Sequence, residues 1–148
     1  MDRTFQGRPI LPGEASGEVI VTRYGFNTLS VYYKSILTNA QKAVCNDQDN
    51  PDLYGKDLTG KIICLPKSIG STSAGATWDR VAQMNIAPRA MLFSKQIDSL
   101  ASAGLILADV WVGRRIITID RLGDEFLKAV ETGRRLEIRP DGSVTLVS

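Results

Sequence analysis

Residues 61–83 constrain the fold more than any other segment. Lys61-Ile62-Ile63-Cys64-Leu65-Pro66 holds a short continuous apolar run, as a strand buried on both faces of a sheet does. A turn rich in glycine and hydroxyls follows, Gly70-Ser71-Thr72-Ser73-Ala74-Gly75, and after it Trp78, Val81, Ala82 and Met84 recur at near-helical spacing. A strand running through such a turn into a helix suits anion binding. Glycines let the backbone approach a ligand, and the free amides at a helix N-terminus favour negative charge. The same hydroxyls also serve as ordinary helix caps, so the pattern alone leaves both roles open. The segment has no Gly-Lys-Ser/Thr and no G-x-G-x-x-G, which sets aside the two common nucleotide loops.

Around this junction the pattern predicts one α/β domain over residues 1–148, without repeats or linkers. The first dozen residues, with Gly7, Pro9, Pro12 and Gly13, read as an irregular or edge-strand arm. Gly17 to Thr22 reads as a strand, Phe26 to Tyr33 has no clear period, and Asn46 to Gly60 is a long polar stretch expected to be mostly loop. A loop of that length inside a compact domain is usually functional or covered. Beyond the junction, Arg89–Phe93 predicts a strand, Ile97–Ala103 a short helix stopped by Gly104, and Leu105–Ala108 and Arg115–Ile119 two more strands. Asp124–Val130 reads as a helix with acids in its first turn and Gly133 as its stop. Two alternating runs around Pro140-Asp141-Gly142 form a C-terminal β-hairpin.

Composition narrows the chemistry. There is no histidine, the commonest general base and metal ligand, and the two cysteines, Cys45 and Cys64, are too few to hold an iron–sulfur cluster with thiolates alone. Cys64 lies inside an apolar run and reads as a core thiol, while Cys45 falls at a loop edge. No metal site is expected on this chain. Net charge is only +2 with scattered bases, which argues against nucleic acid. No apolar run approaches the roughly 20 residues of a membrane span, and the opening residues lack a secretory profile, so the expected compartment is the cytoplasm. Catalysis would rest on hydroxyls, carboxylates, Lys/Arg and backbone amides. A serine on an amide-lined turn can act as a base if its alkoxide is stabilised, as oxyanion-hole donors stabilise developing charge. With no histidine in the chain, a Ser-His pair in cis is excluded.

The residues on both sides of the turn are similar to a known family. Tyr54-Gly55-Lys56-Asp57-Leu58-Thr59-Gly60-Lys61-Ile62-Ile63-Cys64-Leu65-Pro66, followed by Ile69-Gly70-Ser71-Thr72-Ser73-Ala74-Gly75, resembles the swivel domain, or small subunit, of aconitase X. Asn50–Gly55 supplies that family's proline and glycine, Ile86–Leu92 looks like its "aPaAII" strand, and Asp98–Asp109 like its "D-x-h-x-x-x-GAIhA" segment. Gly13–Ile20 matches in kind. The resemblance runs from about Gly7 onward. It implies a single compact swivelling β/β/α domain and a hydro-lyase that removes water from a hydroxy acid. It also implies an iron–sulfur cluster on a separate large subunit, binding the leaving hydroxyl as a Lewis acid, while Ser71 supplies the proton-abstracting base. Gly70, Thr72, Ser73 and Lys67 would then orient the substrate.

In the archaeal phosphomevalonate dehydratases of this family an "SFWGG" segment follows the first strand, and here Leu29–Ser35 lacks the paired glycines. Asn27–Asn46 looks more like the bacterial branch, whose members dehydrate hydroxyproline. The expected substrate is therefore cis-3-hydroxy-L-proline, with phosphomevalonate, or a non-catalytic anion-binding module, as alternatives. Arg89 and Arg80 are further candidate carboxylate clamps. Trp78 is expected in the core or at an interface, and Asp109-Val110-Trp111 could rim the subunit interface.

Overall fold

The chain was analysed as a computed structural model, which describes residues 2–70 and 74–147. Ten strands and four helices follow in the order β1 (Arg3–Gln6), β2 (Arg8–Leu11), β3 (Ala15–Val21), β4 (Phe26–Asn27), α1 (Thr28–Leu37), β5 (Ile62–Leu65), β6 (Ser68–Ile69), α2 (Ala74–Gln83), β7 (Ala90–Phe93), α3 (Ser99–Leu107), β8 (Ile117–Asp120), α4 (Asp124–Ala129), β9 (Arg135–Ile138) and β10 (Ser143–Val147). Eight strands form one sheet in the order β1-β10-β9-β3-β5-β7-β8-β2, and β4 pairs with β6 alone. The half built from β1, β10, β9 and β3 is antiparallel, whereas β3, β5, β7 and β8 run parallel. β2 closes the far edge antiparallel to β8.

Alternation along the parallel strands divides the core. Ile63, Leu65, Met91 and Phe93 pack on one face with α1, α2 and α3, while Ile62, Cys64, Ala90 and Leu92 pack on the other with Phe126 and Val130 of the α4 region. This is why the run Ile62–Leu65 is apolar without a break. The N-terminal arm does become edge strands. β1 and β2 sit at opposite edges of the sheet, and the chain passes between them at Gly7, whose N–H donates to Gly142 O at 3.0 Å.

Two expectations fail. Gly104 does not stop the helix, and Leu105–Ala108 is not a strand: α3 runs on through them into a π-helical turn, Ala108–Val112, that ends at Gly113 in the left-handed region with φ 74°. Gly104 is buried against α2, where a Cβ would lie 2.7 Å from Gly75 Cα, so it is a close-approach glycine rather than a cap. The aperiodic stretch from Phe26 resolves into β4 and then α1, whose Asn27 side chain caps it by accepting the Ser30 N–H at 3.2 Å.

Residues 46–60 are loop as expected, and they are structured. Asn50 Oδ1 accepts from Thr22 Oγ1 at 3.0 Å and from Leu53 N at 3.2 Å. Ala43, Cys45, Leu53 and Leu58 join the core beside Val31 and Tyr32 of α1. The loop is itself a wall of the core.

Candidate functional site

Because β3, β5, β7 and β8 are parallel, their carboxyl ends share one edge of the sheet, the place where open α/β sheets bind ligands. The chain leaving β3 there forms β4 and enters α1, the chain leaving β5 forms β6 and then α2, and the chain leaving β7 enters α3. Asp98 caps α3 by accepting from Leu100 N and Ala101 N, both at 3.1 Å. The end of β6 and the start of α2 thus lie beside other helix starts.

Its framework is tightly specified. Gly70 has φ 106°, and a Cβ there would fall 2.8 Å from Asn27 Oδ1, so the cap of α1 presses on the entry to the turn. Phe26 N donates to Lys67 O at 2.9 Å. Below the turn, Trp78 is fully buried, stacks on Phe26 with centroids 6.0 Å apart and meets the edge of Tyr32 at 5.5 Å. That aromatic trio ties α1 to α2, and Trp78 is a core residue as expected. On the other side, Gly104 of α3 seats against Gly75.

Of the expected site residues, Gly70 and Lys67 stand at this edge, Lys67 exposed. Ser71, Thr72 and Ser73 lie outside the described residues. Arg89 does not belong to the site. It precedes β7, so it sits at the amino edge, about four residues or ~13 Å of strand from the carboxyl end. Arg80 is in the last turn of α2, six residues or ~9 Å down the helix from Ala74. Asp109 accepts two bonds from Arg115, at 3.0 and 2.9 Å, which hold its carboxyl below the ordinary value, and Trp111 beside it is 78% exposed.

Sequence reasoning missed a regularity at the strand ends. Each of the four parallel strands is followed within two residues by a base: Arg23 after β3, Lys67 after β5, Lys95 after β7 and Arg121 after β8. The signal was present as Val-Thr-Arg, Leu-Pro-Lys, Phe-Ser-Lys and Asp-Arg, but scattered bases do not reveal a row until strand order is known.

The described residues of this chain do not fit a metal cluster. Among the described residues no group of three or more Cys, Asp or Glu could hold a metal ion. Burial pushes both thiols up, Cys64 furthest, which opposes the thiolate a ligand needs. Burial likewise raises the Tyr32 hydroxyl. Among the described residues no helix is long and apolar enough to cross a membrane.

Fold and edge together define an α/β domain that presents a glycine-framed strand-to-helix turn at the carboxyl edge of its sheet. Residues 4–146 match the aconitase X swivel domain family, and the chain belongs to that family. It is 25% identical over 144 residues to the phosphomevalonate dehydratase small subunit of Archaeoglobus fulgidus, covering 97% of this chain and 98% of that one. It is 27% identical over 143 residues to the protein of the same name from Aeropyrum pernix, covering 97% and 92%. A chain of the crystal structure of Thermococcus kodakaraensis aconitase X in its holo-form superposes with a TM-score of 0.82 at 24% identity, covering 99% of each chain. That likeness shows the same overall fold.

Proposed function

We propose that this chain is the small subunit of an aconitase X-type dehydratase, acting as one swivel-type domain, with phosphomevalonate as substrate and Ser71 as base. The match over nearly the full length of small subunits that carry that enzyme's name supports this substrate over cis-3-hydroxy-L-proline. The departure in Leu29–Ser35 had favoured hydroxyproline. That segment is part of α1, whose capping residue Asn27 borders Gly70.

Dehydration moves a proton from carbon to a base, turns the C–H pair into a double bond and releases the neighbouring hydroxyl. In this reading the proton passes to the Ser71 oxygen. The alkoxide that receives it is stabilised by the first N–H groups of α2, which no intrahelical carbonyl satisfies. The donor set of this chain leaves an iron–sulfur cluster to the large subunit, and two unpaired, buried thiols suit a reducing cytoplasm.

The test is reconstitution. The chain alone is expected to be inactive and the two-chain enzyme active on phosphomevalonate. Ser71→Ala should lower turnover by roughly 10²–10⁴-fold while leaving the melting temperature and partner binding unchanged. A near-wild-type rate in that variant removes the base assignment, and turnover by the isolated chain removes the two-chain reading.

A further inference from the structure

We infer that Lys67, Lys95 and Arg121 form a seat for the phosphoryl group of the substrate, at the carboxyl edge beside the turn. This rests on the proposed function for the identity of the substrate, and on geometry for the seat.

The register of β5 against β7 pairs Ile62 with Ala90 through Leu65 with Phe93. Both strands end there and the chains bend, staying in contact through Ser94 N, which donates to Leu65 O at 2.9 Å, and Lys95 N, which donates to Pro66 O at 3.3 Å. Lys67 and Lys95 therefore leave the sheet beside each other. Arg121 joins from β8, its N–H donating to Lys95 O at 3.0 Å. Ammonium groups held close together repel each other unless something negative lies between them.

Of the nearby acids, Asp124 and Glu125 open α4, three and four residues past Arg121. Asp120 is committed to Arg8, at 2.9 and 2.7 Å, and to the Ile97 N–H at 2.8 Å. Asp98 is committed to the start of α3. Neither lysine makes an ion pair among the described residues, and both are exposed. Arg23, the fourth base of the row, is turned away and donates to Leu127 O and Val130 O, both at 3.0 Å.

Two further observations mark the place as built. Arg121 holds φ 57°, a left-handed conformation uncommon in a non-glycine residue and found where function over-determines the backbone. Its guanidinium donates to Gln96 Oε1 at 3.0 Å, which fixes it over the β7 end. Two ammoniums and a guanidinium suit a dianionic phosphoryl group better than a single carboxylate.

The experiment has two arms. In the first, inorganic phosphate and, separately, acetate are titrated into the ¹⁵N-labelled full chain. Saturable shifts at Lys67, Lys95 and Arg121 are expected with phosphate only, weakened roughly tenfold by Lys95→Gln and by Arg121→Asn, asparagine being tolerated at positive φ. Shifts centred elsewhere, or untouched by the variants, overturn the seat. In the second arm, the reconstituted enzyme carrying either variant should show KM for phosphomevalonate raised roughly tenfold with kcat held. An unchanged KM overturns the seat even if the enzyme is a phosphomevalonate dehydratase. A positive phosphate titration with no turnover of phosphomevalonate leaves the seat and removes the substrate.

Discussion

The contact between Gly75 and Gly104 gives the sharpest test of how the turn is held, because the two glycines are not equivalent. A Cβ on Gly104 would lie 2.7 Å from Gly75 Cα, 3.1 Å from Trp78 Cδ1 and 3.4 Å from Gly75 N. Carbon atoms pack at about 3.5–4.0 Å, so Gly104→Ala must drive α3 away from α2 by roughly 1 Å. Overpacking of this kind costs about 1–3 kcal/mol, and the better helix propensity of alanine returns about 1 kcal/mol. The net loss is about 1 kcal/mol, or roughly 3 °C in melting temperature at this size. A Cβ on Gly75 meets Gly104 Cα at 3.8 Å, an ordinary contact. Gly75→Ala should therefore keep or raise stability, by up to about 1 kcal/mol.

Catalysis should respond more strongly than stability. Gly75 is the second residue of α2, next to the turn, and a shift of about 1 Å at a reacting group can cost roughly 10²-fold in rate. Thermal melts of the three proteins followed by circular dichroism, with turnover in the presence of the large subunit, measure both effects. The reasoning is refuted if Gly104→Ala melts at or above the wild type, or if Gly75→Ala loses as much stability as Gly104→Ala.

Other substitutions probe the rest of the edge and core. Gly70→Ala combines a left-handed backbone, φ 106°, with a clash against the Asn27 cap. Strain of about 1–2 kcal/mol and a cap of about 1 kcal/mol predict a melting point lowered by roughly 5–10 °C. Cys45 and Cys64 should resist a thiol reagent at pH 8 in the native protein and react together in denaturant, since both are buried with raised pKa values. Rapid labelling of Cys64 in the native state would contradict its place in the core. The Asp109 carboxyl should titrate below its ordinary 3.8 because it accepts from Arg115. A depressed folded value means that its contribution is present above the unfolded pKa and fades as pH falls through the folded one. Asp109→Asn should remove that acid-side dependence in pH-resolved melts.

Much of the parallel half was legible because local pattern and tertiary demand agree there. Ile62–Leu65 is apolar without a break because both faces of β5 are covered, and Trp78, Val81 and Ala82 mark the buried side of α2. The reading failed where a residue's local meaning was overridden. Gly104 carries the usual signature of a helix stop, yet its role is to admit the backbone of α2, and nothing in the local sequence separates those two uses. Leu105-Ile106-Leu107-Ala108 has the composition of a strand, but Leu105 and Ala108 are buried while Ile106 and Leu107 are 39% and 38% exposed, the pattern of a helix. α1 was hidden because its buried positions, Thr28, Val31, Tyr32 and Ser35, include two hydroxyl residues that blur the apolar stripe. At the carboxyl edge, Lys95 and Arg121 drew no notice in the sequence, since only the strand order makes them neighbours of Lys67, and Ser71, Thr72 and Ser73 lie outside the described residues.

The division of the sheet gathers the parallel strand ends at one edge. An antiparallel pair alternates direction, so β1, β10, β9 and β3 present an equal mixture of strand starts and ends at each rim and gather nothing there. Four parallel strands place four carboxyl ends and the four helix starts that follow them along a single rim, where unsatisfied helix N–H groups add in sign. Gly7 and the C-terminal hairpin then serve that rim indirectly. By carrying β1 to one edge and β2 to the other, the chain fixes β8, and the buried Asp120 at its end holds both Arg8 of β2 and the Ile97 N–H ahead of α3. The loop that carries Lys95 is thereby tied to the N-terminal arm, and the antiparallel half acts as the frame that holds the carboxyl edge in place.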